Sequence, residues 1–200
     1  MDVSTVSSRN HEQADWEPQD GARIPTGLGW LYIVRAGEDD VDGAFDIMVD
    51  TMKWVCSIGV PQPEWLFTEE GRAHIRKAVT YREFYLAFCG SEPVASLWIS
   101  PADPPNWGES IGNDGLAGYI HGFGVKRAFA GNGIGRALLD WASARIAELG
   151  RKYVRLDCDG ENPGICRYYE SLGFRERGSV PNRGSFNRLF ERATKRVSQV

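Results

Sequence analysis

The chain has 200 residues, of which 42% are apolar and 25% are charged, a composition typical of a globular protein with one or at most two domains. This composition excludes a fibrous or a wholly disordered protein. The formal net charge is −4, but residues 1–20 contain five acidic residues and one basic residue, so the rest of the chain is neutral. The average charge therefore neither favours nor excludes an anionic ligand.

The chain contains no stretch of the roughly eighteen consecutive apolar residues that a membrane-spanning helix needs. Its N-terminus lacks the basic start, apolar middle and small-residue cleavage site of a secretory signal. The spacing of Cys56, Cys89, Cys158 and Cys166 matches no zinc site. We therefore expect a cytoplasmic protein with free thiols, no metal and no membrane partner.

The first 28 residues are polar and end in a stretch rich in Pro and Gly, which predicts a flexible acidic tail and places the folded domain at residues 29–195. Apolar periodicity and flanking breakers predict the elements of this domain. The predicted strands cover residues 31–35, 83–89, 94–100, 117–125, 152–158, 174–180 and 185–192. The predicted helices cover residues 41–55, 134–149, 162–173 and the segment from Thr68 to just before Phe84, with a loop at residues 101–116.

The order of these elements, βααβββαβαββ, is typical of an α/β (α+β) protein. It predicts a mixed, mostly antiparallel sheet of six to seven strands with helices on both faces. Thr68 and Asn162 have the side chains of helix N-caps, and Gly173 is placed to end a helix in a left-handed conformation.

Nine of the 23 glycines fall between Gly108 and Gly135, and the densest part is Gly131-Asn132-Gly133-Ile134-Gly135-Arg136. A glycine-rich turn at a helix N-terminus exposes backbone NH groups that can bind a phosphate. The dinucleotide fingerprint is excluded because Arg136 stands where its third glycine should be, and the Gly-Lys-Ser/Thr of a P-loop is missing. The glycines alone also fit a tight turn without a ligand.

A second motif lies downstream, where Asn162 is followed seven residues later by Tyr169 and then by Gly173 and Phe174. Together the two motifs, each on its predicted element, resemble the GNAT superfamily of acyl-CoA-dependent N-acyltransferases over about residues 31–192. The resemblance implies the fold of that superfamily and acetyl-CoA as co-substrate, with no metal.

In that superfamily the backbone NH groups of the glycine turn hold the pyrophosphate of CoA, and the neighbouring strand pairs with the pantetheine arm beside a splay in the sheet. The resemblance therefore implies that the strand ending at Val125 and the strand at residues 152–158 form this cleft. The family usually has Arg or Gln where this chain has Ala130, so one side-chain contribution is missing. The implied cofactor-binding residues are Phe123, Val125, Lys126, Gly131, Asn132, Gly133, Ile134, Gly135, Arg136, Asn162 and Tyr169.

Acyl transfer to an amine needs a base, a stabilised oxyanion and a proton for the departing thiolate. By resemblance, Tyr169 is the proton donor, and a backbone NH near Val125 stabilises the oxyanion. His121 is the proposed base, since it precedes Val125 by four residues, is expected on the same face of the strand, and matches a histidine of the arylalkylamine acetyltransferases. The alternative bases are Glu109, Asp157 and Glu161.

The acceptor is expected between the first two helices, the segment 101–116 and the end of the chain, in or near which lie Trp54, Trp65, Trp98 and Trp107. Three functions remain open: an N-acetyltransferase for a small primary amine, one for a protein lysine or N-terminus, and a CoA-binding sensor without catalysis. The first is the favoured hypothesis. The expected partner is thus a small-molecule amine, without nucleic acid or membrane, and a homodimer is left open.

Overall fold

A computed structural model of the chain describes residues 21–182 and 184–195. In this part of the chain the strands are β1 (Ala22–Thr26), β2 (Gly29–Arg35), β3 (Glu83–Cys89), β4 (Glu92–Ser100), β5 (Ala117–Val125), β6 (Tyr153–Asp159), β7 (Arg175–Asn182) and β8 (Ser185–Ala193). The α-helices are α1 (Val41–Ser57), α2 (Glu69–Tyr81), α3 (Pro104–Gly112), α4 (Ile134–Glu148) and α5 (Pro163–Ser171). No helix in the described ranges combines the length and the apolar content needed to cross a membrane.

The strands form one sheet in the order β1-β2-β3-β4-β5-β6-β8-β7, in which only β5 and β6 pair in parallel. The predicted mixed, mostly antiparallel architecture is therefore confirmed, with eight strands where six to seven were expected. The additional strand is β1, which pairs with β2 from Ala22 opposite Ile33 to Thr26 opposite Gly29. Pro25 is tolerated there because β1 is an edge strand.

The strand β1 also corrects the boundary predicted between tail and domain, because the folded part already includes residues 22–26. Pro25 and the neighbouring glycines have the character of breakers, but in the structure they form the edge strand and its turn. The rest of the predicted tail, residues 1–20, lies outside the described residues.

Helices cover both faces of the sheet, as predicted. Along β3, Phe84, Leu86 and Phe88 pack with α1 and α2, whereas Tyr85 and Ala87 pack in a second cluster with α4 and α5. This alternation follows from the two-residue period of a strand, and it explains why β3 is apolar from Phe84 to Cys89.

The predicted helix caps are confirmed. The Thr68 hydroxyl accepts a hydrogen bond from the Glu70 NH, and Asn162 Oδ1 accepts from the NH groups of Gly164 and Ile165 at 3.1 and 3.2 Å. Gly173 has a φ of +84° after the end of α5. The predicted loop at residues 101–116 is wrong in part, because it contains α3, which begins at Pro104; proline suits the first turn of a helix.

Two irregularities in β5 position the site. Its pairing with β6 ends at Tyr119 opposite Arg155, so the two strands separate beyond that point. On its other side, Ser96 of β4 pairs with Gly124 and Trp98 pairs with His121, which leaves one extra residue on β5. Gly122 provides this β-bulge with a φ of +55° at a place where a Cβ would collide with the Trp98 ring.

Candidate functional site

The glycine turn lies between β5 and α4, as the sequence predicts. Gly131 and Gly133 have φ angles of +84° and +74°, and open space surrounds the position that a Cβ would take at either residue. Within the described residues, no side chain caps α4, whose N-cap residue is Gly133. The backbone NH groups at this positive helix end are therefore available to an anion that approaches the turn.

Neighbouring groups hold the turn in place. The Asn132 side chain donates hydrogen bonds to the carbonyl oxygens of Phe129 and Ala130, and the Asn132 carbonyl accepts one from the Gly27 NH at 2.9 Å. Gly135 faces α5, where a Cβ would meet the Tyr168 hydroxyl and the Phe123 ring. The turn is thus preformed by contacts with the first hairpin and with α5.

The basic residues near the turn differ in their availability. Lys126 forms an ion pair with Glu92 at 3.0 Å. The Arg127 guanidinium lies 4.3 Å from the centre of the Trp54 ring, and the Arg127 NH donates to Asp50. Arg136, in the first turn of α4, has no ion pair among the described residues. Of these three basic residues, Arg136 is therefore the best placed to bind an anion at the turn.

Tyr169 lies on α5 with its ring buried among Phe123, Phe174 and Phe190, whose ring centres are 5.8–6.5 Å away. Its hydroxyl makes no hydrogen bond with any described residue. Burial raises the pKa of Tyr169 well above its ordinary value, so the phenol keeps its proton at neutral pH. Asn162, at the start of the same helix, uses its oxygen as the cap and keeps its amide nitrogen for other partners.

His121 lies on the other face of the sheet from the residues around Tyr169. Its ring stacks on Trp98 at 5.6 Å, within the region packed against α2, whereas Phe123 and Val125 pack on the side of α4 and α5. The predicted common face of His121 and Val125 is therefore wrong. The bulge at Gly122 inserts one residue between them and breaks the two-residue alternation on which that prediction depended.

Asp157 lies two residues beyond the last β5–β6 pair, and so does His121 on the neighbouring strand. Parallel register therefore places both on one face of the splay. With Asp103, which precedes α3, they form a cluster in which one ligand atom from each side chain lies within 4.8 Å of the others. This cluster of Asp103, His121 and Asp157 is called the acid–base cluster below. Its imidazole and two carboxylates are also donor types that bind divalent cations.

Amide side chains connect the two carboxylates of the acid–base cluster. Asn106 Nδ2 donates to Asp103 at 3.0 Å and to Asp157 at 3.4 Å, and Asn187 Nδ2 donates to Asp157 at 2.6 Å. Burial, and secondarily the negative charge of Asp103, raise the pKa of Asp157 to about 6. The sequence indicates Asp157 as an alternative base but contains no sign of Asp103, since no local pattern marks a side chain that a distant helix brings into the site.

Burial lowers the pKa of His121, and the positive charge of Arg82 lowers it further, against the opposing effect of Asp103. His121 is therefore a neutral base at neutral pH. The two other alternative bases, Glu109 on α3 and Glu161 before α5, are exposed and do not belong to the acid–base cluster.

A cavity of about 650 Å³ opens beside the acid–base cluster. Its walls come from α2, from Trp98 and Ser100 on β4, and from the segment 102–105, with Asp103 and His121 among its lining residues. No residue of the glycine turn lines it. Of the four tryptophans predicted near the acceptor, only Trp98 lines this cavity, and β8, near the end of the chain, does not contribute.

The other three tryptophans have structural contacts. Trp107 packs on Tyr119 and lies 5.1 Å from the Arg155 guanidinium. Trp65 contacts the outer side of His74, and Trp54 lies under Arg127. The structure thus brings His121 and Asp157 together at one face of the splay and the predicted cofactor residues, with Tyr169, at the other.

The sequence matches a known protein family and is similar to known proteins. Residues 50–174 match the Acetyltransferase (GNAT) family. The uncharacterised N-acetyltransferase YesJ of Bacillus subtilis (strain 168) is 26% identical over 152 residues, which cover 74% of this chain and 84% of that protein. The mycothiol acetyltransferase of Propionibacterium freudenreichii is 36% identical over 70 residues, covering 34% of this chain and 22% of that protein.

Solved structures share the fold. An acetyltransferase of the GNAT family from Listeria monocytogenes 4b F2365 superposes with a TM-score of 0.68 at 21% identity, over 86% of this chain and 99% of that one. The PaiA N-acetyltransferase of Thermoplasma acidophilum, solved in complex with coenzyme A, has a TM-score of 0.62 at 17% identity, over 82% of this chain and 98% of that one.

Proposed function

The chain belongs to the GNAT acetyltransferase family, and from this premise we propose that it transfers an acetyl group from acetyl-CoA to the primary amine of a small molecule. Membership of this family supports the activity of an acyl-CoA-dependent acetyltransferase. The small-molecule acceptor is the part of the proposal that we add. The observation that carries this addition is the cavity of about 650 Å³ beside the acid–base cluster. Its volume falls within the range of about 300–1,000 Å³ that is usual for small-molecule sites.

The residues on the α4 and α5 side fit CoA. Open space above Gly131 and Gly133 lets a pyrophosphate approach the uncapped N-terminus of α4, where backbone NH groups and Arg136 would bind it. The Asn162 amide nitrogen and the edge of β5 near Val125, which faces the splay, would hold the pantetheine arm. When bound, acetyl-CoA supplies the activated acyl group.

Two side chains would handle protons on opposite faces of the splay. His121, neutral and at the cavity, would take the proton of the incoming ammonium group directly or through a water. The Asp103 and Asp157 carboxylates would attract that ammonium and stabilise the imidazolium that His121 becomes. Tyr169 would donate its hydroxyl proton to the thiolate that leaves when the new nitrogen–carbon bond forms, and a backbone NH near Val125 would stabilise the oxyanion.

The function is tested by release of free thiol from acetyl-CoA across a panel of small amines, lysine-containing peptides and free peptide N-termini. Calorimetric titration with CoA on the same preparation checks the cofactor site. We expect CoA binding and thiol release that depends on a small amine. Thiol release with peptides alone would favour a protein acetyltransferase, CoA binding without release would favour a sensor, and absence of CoA binding would contradict the whole proposal.

We also propose a reducing, cytoplasmic location. The Sγ atoms of Cys158 and Cys166 lie 3.8 Å apart on neighbouring elements, so the two thiols would stay unbonded in a reducing compartment and could form a disulfide in an oxidising one. Because Cys166 is buried, thiol labelling should be done on protein from freshly lysed cells after denaturation. It should modify both cysteines, and a bonded pair would contradict this location.

A further inference from the structure

We propose that the acceptor carries an anionic group, a carboxylate or a phosphate, in addition to its amine, and that Lys77 and Arg82 bind this group. The inference rests on the proposed function, because it concerns the cavity in which we place the acceptor. It specifies the acceptor as a small zwitterion and excludes a simple hydrocarbon amine as the preferred substrate.

Two basic residues, Lys77 and Arg82, lie beside the cavity. His74, Lys77, Ala78 and Tyr81 recur at helical spacing, so one face of α2 forms a wall of the cavity, and Arg82 follows at the end of the helix. Both Lys77 and Arg82 are exposed at the rim. The positive charge of Arg82 also lowers the pKa of His121, another residue that lines the cavity.

The basic residues in and next to α2 differ in whether they form ion pairs. Arg72 is paired with Asp42 and Glu69, and Arg76 is paired with Glu38 at 2.7 Å. The side chains of Lys77 and Arg82 form no ion pair or hydrogen bond with any described residue. The positive charges of Lys77 and Arg82, which line the cavity, are therefore available to a ligand. The positive charges of Arg72 and Arg76, which lie outside it, are neutralised by carboxylates of the chain.

The cavity is lined by both acidic and basic residues. Asp103 is buried and, with His121 and Asp157, forms the acid–base cluster at one end. The exposed basic residues Lys77 and Arg82 line the same cavity, together with apolar groups such as Trp98, Ala78 and Pro104. A molecule with an ammonium at one end and an anion at the other matches this arrangement in the orientation that directs its nitrogen toward His121.

The test compares amines that differ in one group. The probes are an ω-amino acid, its carboxamide and the corresponding aminophosphonate, each assayed for thiol release with acetyl-CoA in the presence of a chelator, so that no metal occupies the acid–base cluster. We expect kcat/KM for an anionic probe to exceed that of the amide by roughly tenfold. The ratio of carboxylate to phosphonate activity identifies which anion the site prefers.

Three variants localise the effect. Lys77→Gln and Arg82→Gln should each raise KM for the anionic probes roughly three- to tenfold and change KM for the amide less than about twofold. Arg76→Gln removes the same charge from the same helix outside the cavity, and it should change neither value. Because all three side chains reach the surface, the changes are not expected to disturb the core.

Equal use of acid and amide, or equal KM changes for both in the Lys77 and Arg82 variants, would overturn the inference while leaving the proposed function intact. If CoA binds and no small amine of any charge is acetylated, the proposed function fails, and the inference fails with it. A preference for the anionic probes that Arg76→Gln reduces as strongly as Arg82→Gln would also overturn the assignment of these two residues.

Discussion

The two faces of the β5–β6 splay are built differently. On the α4 and α5 side, the candidate groups are backbone NH groups of the glycine turn and the single phenol of Tyr169, set in an apolar aromatic cluster. On the α2 and α3 side, they are titratable side chains from four elements, gathered around a cavity. The difference suggests that the first side serves a ligand common to the family, whereas the second can vary its acceptor by changing side chains.

The largest expected effect is at the proton donor. Tyr169→Phe should lower kcat roughly 10²- to 10³-fold, because the leaving thiolate loses its proton source. Affinity for CoA and thermal stability should stay the same, since the hydroxyl has no hydrogen bond within the described part of the chain. Steady-state kinetics measures kcat, and calorimetry measures the affinity for CoA and the thermal stability.

Tyr168→Phe is the matched control, because Tyr168 is the adjacent residue and its hydroxyl packs near Gly135. It should change kcat less than about threefold. If the two variants behave alike, Tyr169 has no special role and the assignment of the acid to the α5 side is wrong.

The next effect is at the base on the opposite face. His121→Gln should lower kcat/KM for the amine by about 10²-fold and leave CoA affinity unchanged. In the wild-type enzyme the rate should rise with pH through a midpoint below 6.5, because burial lowers the pKa of His121 and only the neutral imidazole accepts a proton. A pH–rate profile that is the same in the variant would remove His121 from this role.

Asp157→Asn should stabilise the folded protein at high pH and not at low pH. The pKa of Asp157 is raised from 3.8 to about 6, so the folded state binds this proton more tightly, and stability falls as pH rises through that window. Above pH 7 the charged carboxylate should cost up to about 3 kcal/mol, and the Asn variant should recover about 2 kcal/mol of it. Urea unfolding at pH 8 should show this gain, which should vanish near pH 4; equal gains at both values would contradict the shift.

The smallest expected effect is a loss of CoA affinity when a glycine of the turn is replaced. Gly133→Val should weaken CoA binding about tenfold, because a side chain in a left-handed conformation strains the turn and obstructs a phosphate. Gly150→Val is the control: its φ of +76° and the open space around its Cβ position match those of Gly133, but it follows the far end of α4. Calorimetry that finds equal losses would remove the turn from the cofactor site.

The cofactor side was the more predictable from sequence because its signals are local. Gly131, Gly133, Asn162 and Tyr169 lie at short, fixed spacings on elements whose caps and periodicity are themselves visible. The acceptor side depends on contacts across the fold. Asp103 reaches His121 only because α3 forms in a segment whose prolines and glycines predict a loop.

The sequence contains only a partial signal for the face on which His121 lies. Gly122 within β5 is a signal for a β-bulge, and a bulge there reverses the alternation that was used to align His121 with Val125. Similarly, β1 was hidden because Pro25 is a breaker in a central strand but an acceptable residue at a sheet edge. In both cases the outcome depends on strand pairing, which local sequence does not contain.

The most direct test of the division between the two faces is a crystal structure of the protein with CoA bound. We predict that the pyrophosphate contacts the backbone at Gly131 and Gly133, that the sulfur lies within roughly 3.5 Å of the Tyr169 hydroxyl, and that the cavity beside His121 stays free. Pantetheine density inside that cavity, between α2 and α3, would contradict the account.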